Sequence, residues 1–116
     1  MADHSFKAFV LDQLSALPDV RAKAMFGAFG IYSGEHFFGI VDDGKLFFKT
    51  DAQAKTAYEE RGMKPFTYAS QGKMLTMAYH EVPADILECA PELVTWAQRS
   101  IRIAADKPKK VKKPRA

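Results

Sequence analysis

The hydrophobic residues of this chain recur with two periods, and each period predicts a different kind of element. Over residues 4–16 they lie three or four positions apart, which predicts an amphipathic helix. Its apolar stripe comprises Phe6, Phe9, Val10, Leu14 and Leu17. From 21 to 49, short apolar runs alternate with turn signals at 33–36 and 42–44. This second pattern predicts a meander of antiparallel strands.

The second half of the chain repeats this succession of helical and extended segments. Residues 51–61 predict a helix that Asp51 or Thr50 can cap, followed by two strands around a turn at 70–73. Residues 84–105 predict a final helical region. The order is helix, three or four strands, helix, two strands, helix. It favours a two-layer α+β fold, with an antiparallel sheet of about five to six strands and helices packed on one face.

Aromatic residues fall on both faces of the predicted sheet. Leu46 and Phe48 point to one side of their strand, and Phe47 and Lys49 point to the other. If helices cover one face only, aromatic side chains on the other face are available to a protein partner or to a second copy of the chain. A curled sheet, or helices on both faces, would bury them instead. The candidate contact positions are Phe29, Tyr32, Phe38, Phe47, Tyr79 and His80.

Length and composition indicate one globular domain. The chain has 116 residues, a size that suits a single domain, and it contains no apolar run near the roughly 20 residues needed to span a bilayer. Its first residues do not resemble a secretory signal, and its single cysteine, Cys89, excludes an intramolecular disulfide. We therefore expect a cytoplasmic protein without membrane contact, in which Cys89 is a small buried hydrophobic residue.

The positive net charge of +3 comes from the end of the chain. Six of the 17 basic residues lie in the last ten positions, so residues 1–106 hold 11 basic against 14 acidic residues. The six are Lys107, Lys109, Lys110, Lys112, Lys113 and Arg115. We expect a slightly acidic domain over 1–105 and a basic tail over 106–116. The tail is open to two interpretations: a solvated, disordered extension, or a segment that binds nucleic acid without sequence preference.

The residues that most often carry chemistry do not form a recognisable site. Gly27, Gly30 and Gly34 lack the spacing of a phosphate-binding loop and precede strand-like residues, so they predict bends or bulges. An enzyme could use His80 and its neighbour Glu81 as an acid/base pair, but in a strand they would point to opposite faces, so we favour a structural role for them. The three histidines and Cys89 do not occur at metal-ligand spacing. We therefore expect no catalytic residue, metal, cofactor or small-molecule substrate.

Several motifs resemble those of a known family. Residues 24–51 read AMFGAFGIYSGEHFFGIVDDGKLFFKTD, residues 65–68 read PFTY, and 77–87 read MAYHEVPADIL. In this order, and with the final LVTWAQRSI at 93–101, they are similar to the signature of the TfoX N-terminal domain family. That family is named after a bacterial regulator of natural competence. Ala28 stands where a second glycine is common, and His80 where tyrosine is common.

The resemblance implies a two-layer α+β fold and brings no catalytic residue with it. It implies a non-enzymatic regulatory or interaction domain linked to transcription or competence. The full-length competence regulators have a second domain where this chain has its lysine-rich segment, so we expect a single-domain form. The alternative function is nucleic-acid binding through the basic tail.

Overall fold

The computed structural model describes residues 4–25 and 27–106 and shows the predicted α+β architecture. Six antiparallel strands form one sheet, and four helices accompany it. The elements are α1 (His4–Gln13), β1 (Val20–Met25), β2 (Ala28–Ser33), β3 (His36–Asp42), β4 (Lys45–Lys49), α2 (Lys55–Glu59), β5 (Pro65–Ser70), β6 (Lys73–Glu81), α3 (Ala84–Leu87) and α4 (Ala90–Asp106).

The sheet joins a four-stranded meander to a hairpin. Its strand order is β1-β2-β3-β4-β6-β5, so the meander β1–β4 meets the β5–β6 hairpin along the β4–β6 pair. In that pair Phe48 lies opposite His80, and Lys49 lies opposite Tyr79. Helix α2 lies in the connection between the two parts of the sheet. Residues about 30 positions apart in sequence therefore lie side by side in the sheet.

All four helices contribute to one hydrophobic core on the same face of the sheet, which we call the covered face. Residues with no exposed surface come from α1 and the turn that follows it, and from β2, β3, β4 and α4. They are Val10, Leu14, Ile31, Phe38, Phe48, Leu93 and Ala97. Tyr58 from α2 and Ile86 from α3 complete this core. The expectation that helices pack on one face is confirmed for the described residues.

A polar contact fixes α4 to the sheet within this core. Ser100 is 1% exposed, and its hydroxyl donates a hydrogen bond of 2.8 Å to the carbonyl oxygen of Lys49. One turn earlier, Trp96 packs edge-on against Tyr58, with 4.8 Å between ring centroids. The longest helix is therefore held to β4 and α2 by one hydrogen bond and one aromatic contact in addition to its apolar stripe.

Two helices are shorter than the sequence predicts. The chain leaves the helical path after Gln13 because Leu14–Leu17 form a tighter turn, closed by the Leu17 N–H to Leu14 carbonyl bond of 2.9 Å. Asp51 does accept the N–H groups of Gln53 and Ala54, but regular α2 begins only at Lys55. Asp51 therefore caps the turn that precedes α2, whereas the helix itself has Ala54 as its N-cap residue and no side-chain cap, and its predicted length is wrong.

Two side chains differ from expectation in exposure. Phe9, predicted in the apolar stripe of the first helix, is 39% exposed, because this segment packs on the core through Val10 and, just after α1, through Leu14. Cys89, expected to be buried, is exposed between α3 and α4.

In the described part of the chain, no helix has the length and apolar character needed to cross a membrane.

The glycines of the first hairpins mark turns. Gly27 (φ +80°) and Gly34 (φ +61°) adopt left-handed backbone conformations between consecutive strands, whereas Gly30 lies inside β2. A phosphate-binding loop would connect a strand to a helix, which these turns do not. The interpretation of Gly27 and Gly34 as backbone bends is confirmed.

Candidate functional site

The second face of the sheet carries its own layer of apolar side chains, which come from strands alone. We call this the open face, because no described helix contributes to the layer. Strand register assigns alternate residues to it, since paired residues of neighbouring strands point to the same side. Ile40, Phe47 and Tyr79 are buried there. Ala28, Phe37, Phe66 and Met77 are partly buried against them.

Ring contacts hold this layer together. One group runs from Tyr32 to Phe37 (5.1 Å between centroids) and on to Tyr79 (5.5 Å). The other runs from Phe47 to Phe66 (5.0 Å) and on to Tyr68 (6.2 Å). The Tyr79 hydroxyl also donates to the carbonyl of Phe37 at 3.4 Å, and burial raises the pKa of this hydroxyl well above its usual range.

Several rings of the open face still reach solvent. Tyr68 is 40% exposed, and its register partner Leu75 is 39% exposed. Tyr32, Phe37 and Phe66 have intermediate exposure. A face on which large apolar side chains remain partly exposed in a folded domain is typical of a contact surface.

Basic residues are interleaved with these rings. The strand pairing places Arg21, Lys23, Lys45, Lys49 and Lys73 on the open face, together with only two carboxylates. The carboxylates are Asp42 and Glu81, and just before β1 the Asp19 carboxylate lies 3.9 Å from the Arg21 guanidinium. The remainder of 1–106 then holds six basic and 12 acidic residues. A domain that is acidic as a whole therefore presents an excess of positive charge on one face.

The six candidate contact positions divide between the two faces. Tyr32, Phe47 and Tyr79 lie on the open face, although only Tyr32 retains intermediate exposure. Phe29, Phe38 and His80 lie on the covered face and are at most 6% exposed. We correct the placement of these three. Phe29 and His80 are paired with Val41 and Phe48, which point toward the helices, and a bulge turns Phe38 to the same side.

A β-bulge explains the placement of Phe38. Phe37 lies opposite Tyr32 and Gly39 opposite Ile31, so Phe38 is an extra residue in β3. Strict alternation from Ile40, which faces Phe47 across the strand pair, would put Phe38 on the open face. The bulge resets the alternation, turning Phe38 into the core and Phe37 onto the open face.

Several residues of the open face were not predicted from the sequence. Three of its solvent-accessible rings belong to Phe37, Phe66 and Tyr68, and the strand cations form one group only when the strands are paired. Alternation within PFTY would have placed Phe66 and Tyr68 on one side of their strand. Assigning that side required the pairing of β5 with β6.

A second cluster lies at the junction of β4 and α2, around His80. Its Nδ1 is 3.0 Å from the Thr50 hydroxyl, and its Nε2 is 3.8 Å from a carboxylate oxygen of Glu59. His80 is 5% exposed. Burial lowers the pKa of its ring, the Glu59 carboxylate partly opposes that shift, and Lys55 adds to it. The ring is therefore held in its neutral form at neutral pH.

Two shallow cavities meet beside this cluster, of about 540 and 420 Å³, and both border Thr50, Asp51 and Ala78. Glu81, the neighbour of His80, points to the opposite face, as alternation predicts. The Glu59 carboxylate is beyond hydrogen-bond distance of the imidazole. The Thr50–His80 hydrogen bond joins the residue after β4 to β6, and the Tyr58 ring of α2 packs against the His80 ring with 5.8 Å between centroids.

The basic tail, for which a nucleic-acid role is predicted, lies outside the described residues. The basic tail residues Lys107, Lys109, Lys110, Lys112, Lys113 and Arg115 are not among the described residues, and their nucleic-acid role stays a prediction. Within 4–25 and 27–106, no group of three or more histidine, cysteine, aspartate or glutamate residues is arranged to hold a metal ion.

Comparison with known proteins identifies the family. The model of the TfoX N-terminal domain matches residues 12–104. The "DNA transformation protein TfoX1" of Aliivibrio fischeri is 26% identical over an alignment of 77 residues, which covers 60% of this chain and 37% of that protein. The chain thus spans well under half the length of this relative. Because the family model covers every strand and most of the helical residues, the chain belongs to the TfoX N-terminal domain family.

Proposed function

We propose that this protein is a non-enzymatic regulatory domain that acts in the control of DNA transformation through macromolecular contacts of the open face. The family match and the name of the TfoX1 relative support the link to transformation. The observation that supports the mode of action is the strand-built aromatic layer, which lies on a face that no described helix covers. A partner that covers this face would bury the apolar surface that the helices leave exposed.

The His80 cluster is the alternative location for an activity. We assign it a structural role, because its central hydrogen bond joins two buried side chains, Thr50 and His80. A general base would need to reach a substrate as well as its partner. Glu59 is exposed at the outer end of the cluster, so its substitution tests this assignment with little effect on the fold.

The test is genetic. Deleting the gene in its host is expected to lower the transformation frequency and the transcript levels of DNA-uptake genes, and the wild-type chain is expected to restore both. A triple open-face variant, Lys23→Gln/Lys45→Gln/Tyr68→Ala, should fail to restore them at equal protein level. The control variant Glu59→Gln should restore them fully. An unchanged transformation frequency after deletion, or failure of Glu59→Gln with success of the triple variant, contradicts the proposal.

A further inference from the structure

We infer that the open face binds single-stranded nucleic acid, with its aromatic rings stacking on bases and its strand cations contacting phosphates. This inference rests on the proposed function, because it names the class of partner for the same face. Two observations carry it. They are the solvent-accessible rings and the concentration of positive charge around them.

The rings offer a platform for unpaired bases. Tyr32, Phe37, Phe66 and Tyr68 are all partly accessible on one sheet face, and they form two groups within the aromatic layer. Sequence-tolerant binding of single strands relies on such side chains, because every base has a flat face that can stack on an aromatic ring. In a duplex those flat faces are occupied by neighbouring bases, so rings on a sheet surface favour the single strand.

The basic side chains lie beside the rings, where the phosphates of a bound single strand would pass. Arg21 is opposite Tyr32 in the β1–β2 pair, and Lys49 holds its ammonium group 5.0 Å from the centroid of the Tyr79 ring. Lys23 and Lys45 are exposed on β1 and β4. Neither forms a salt bridge with another residue of 4–25 or 27–106. These two lysines can contact phosphate without first giving up a carboxylate partner.

The positive charge of the open face also indicates which kind of partner can bind there. A second copy of the chain would bring the same excess of cations against this face, and the lysine-rich tail would do the same. Both arrangements place like charges together in a contact that excludes water, which is unfavourable. A polyanion complements the face. Bases also make use of the rings, which a purely acidic peptide would not.

The dimensions of the face suit a short stretch of single strand. Six strands at a spacing of about 4.8 Å span about 24 Å from β1 to β5. The accessible rings lie on β2, β3 and β5, so they are distributed across this width. Small single-strand binding modules cover from about four nucleotides upward.

The experiment measures binding of a fluorescently labelled 20-nucleotide oligothymidine, and of a duplex of equal length, by anisotropy at several salt concentrations. All proteins are the full chain. To separate the tail from the face, the reference protein carries glutamine at the six basic tail positions, Lys107, Lys109, Lys110, Lys112, Lys113 and Arg115. The inference expects this reference to bind the single strand more tightly than the duplex.

Matched variants of the reference then locate the site. Tyr68→Ala on the open face is compared with Phe9→Ala on α1, since the two side chains are 40% and 39% exposed. The first should weaken single-strand binding about five- to 150-fold, as the loss of one stacked base does, and the second should leave it unchanged.

A second pair of variants tests the cations of the open face in the same way. Lys23→Gln/Lys45→Gln should weaken binding and lower the slope of log affinity against log salt by about 1.4, the value for two phosphate contacts on a single strand. Lys55→Gln/Arg102→Gln removes two exposed cations from α2 and α4 and should not change affinity or slope. Circular dichroism checks that each variant remains folded.

Several results would overturn the inference. These are loss of all binding in the tail-substituted reference, equal binding of duplex and single strand, or equal losses in the open-face and control variants. A concentration-dependent dimer that Tyr68→Ala abolishes would assign the face to a second copy. Selective binding of an acidic peptide would assign it to a protein. Failure here with a clear deletion phenotype would leave the proposed regulatory role in place and change only its partner.

Discussion

The two faces of the sheet are built from alternate residues of the same strands, yet they are completed in different ways. On the covered face, Phe48 packs under α4 with no exposed surface. On the open face its neighbour Phe47 packs against Phe66, and no described helix lies over them. The comparison shows that one strand can supply a core and a binding surface at once, since the pleat separates the two sets of side chains. Stability should depend mainly on one face and binding on the other.

The largest expected difference is between two adjacent phenylalanines. Phe48→Ala should lower the free energy of unfolding by about 3–5 kcal/mol, because it leaves a cavity between sheet and helices that cannot collapse freely. Phe47→Ala should cost about 1–2 kcal/mol less, because its neighbouring rings can rearrange and water can enter. Urea unfolding of both variants measures the difference. If Phe48→Ala does not fold, Phe48→Leu preserves the comparison. Equal losses would mean that the two faces contribute equally to stability.

A smaller contrast is expected between two buried hydroxyl groups. Ser100→Ala removes the 2.8 Å bond to the Lys49 carbonyl inside the covered core and should cost about 1–3 kcal/mol. Tyr79→Phe removes the longer 3.4 Å bond on the open face and should cost less than about 1 kcal/mol. Thermal melts of the two variants at one pH provide the measurement. A greater loss for Tyr79→Phe would reverse the ranking of the two faces.

Acidification should act through the covered face. The pKa of His80 is lower in the folded chain than in the unfolded chain, so below about 6.5 the unfolded chain binds more protons. The stability that this ring contributes is fully present above that pH and is lost as pH falls through the folded pKa. His80→Gln should flatten the dependence of melting temperature on pH between 7.5 and 5.5. An unchanged slope would show that another group is responsible.

The smallest expected stability effect is at Tyr68. It is 40% exposed on the edge strand β5 and packs on one side against Phe66, so Tyr68→Ala should change the free energy of unfolding by less than about 1 kcal/mol. Its effect on binding is expected to be much larger. Measuring both quantities on one preparation separates the two roles. A loss of stability as large as that of Phe48→Ala would remove the distinction between them.

The sequence predicts the order of the elements, and it predicts which residues of one strand point to the same face. The alternation of Leu46, Phe47 and Phe48 is strictly local, and the structure confirms it. The side that meets the helices depends on longer-range contacts. Phe38 was misplaced because a bulge adds one residue to β3, and no local signal marked that residue.

The candidate site was harder to predict than the fold. The open face combines β1 with β5, which lie at opposite edges of the sheet and are far apart in the chain. The contact of Thr50 with His80 likewise requires the β4–β6 pairing. Composition indicated an acidic domain with a basic tail, and only the strand register revealed that five of the domain's cations share one face with the aromatic rings.

The most direct test of the open face as the binding surface is a residue-resolved NMR titration of the full chain with a short oligothymidine. The account predicts that chemical shifts change at alternate strand positions, including Lys23, Tyr32, Phe37, Phe66 and Tyr68, while the covered core around Leu93 is unaffected. Shift changes confined to the helices, or to residues beyond 106, would contradict it.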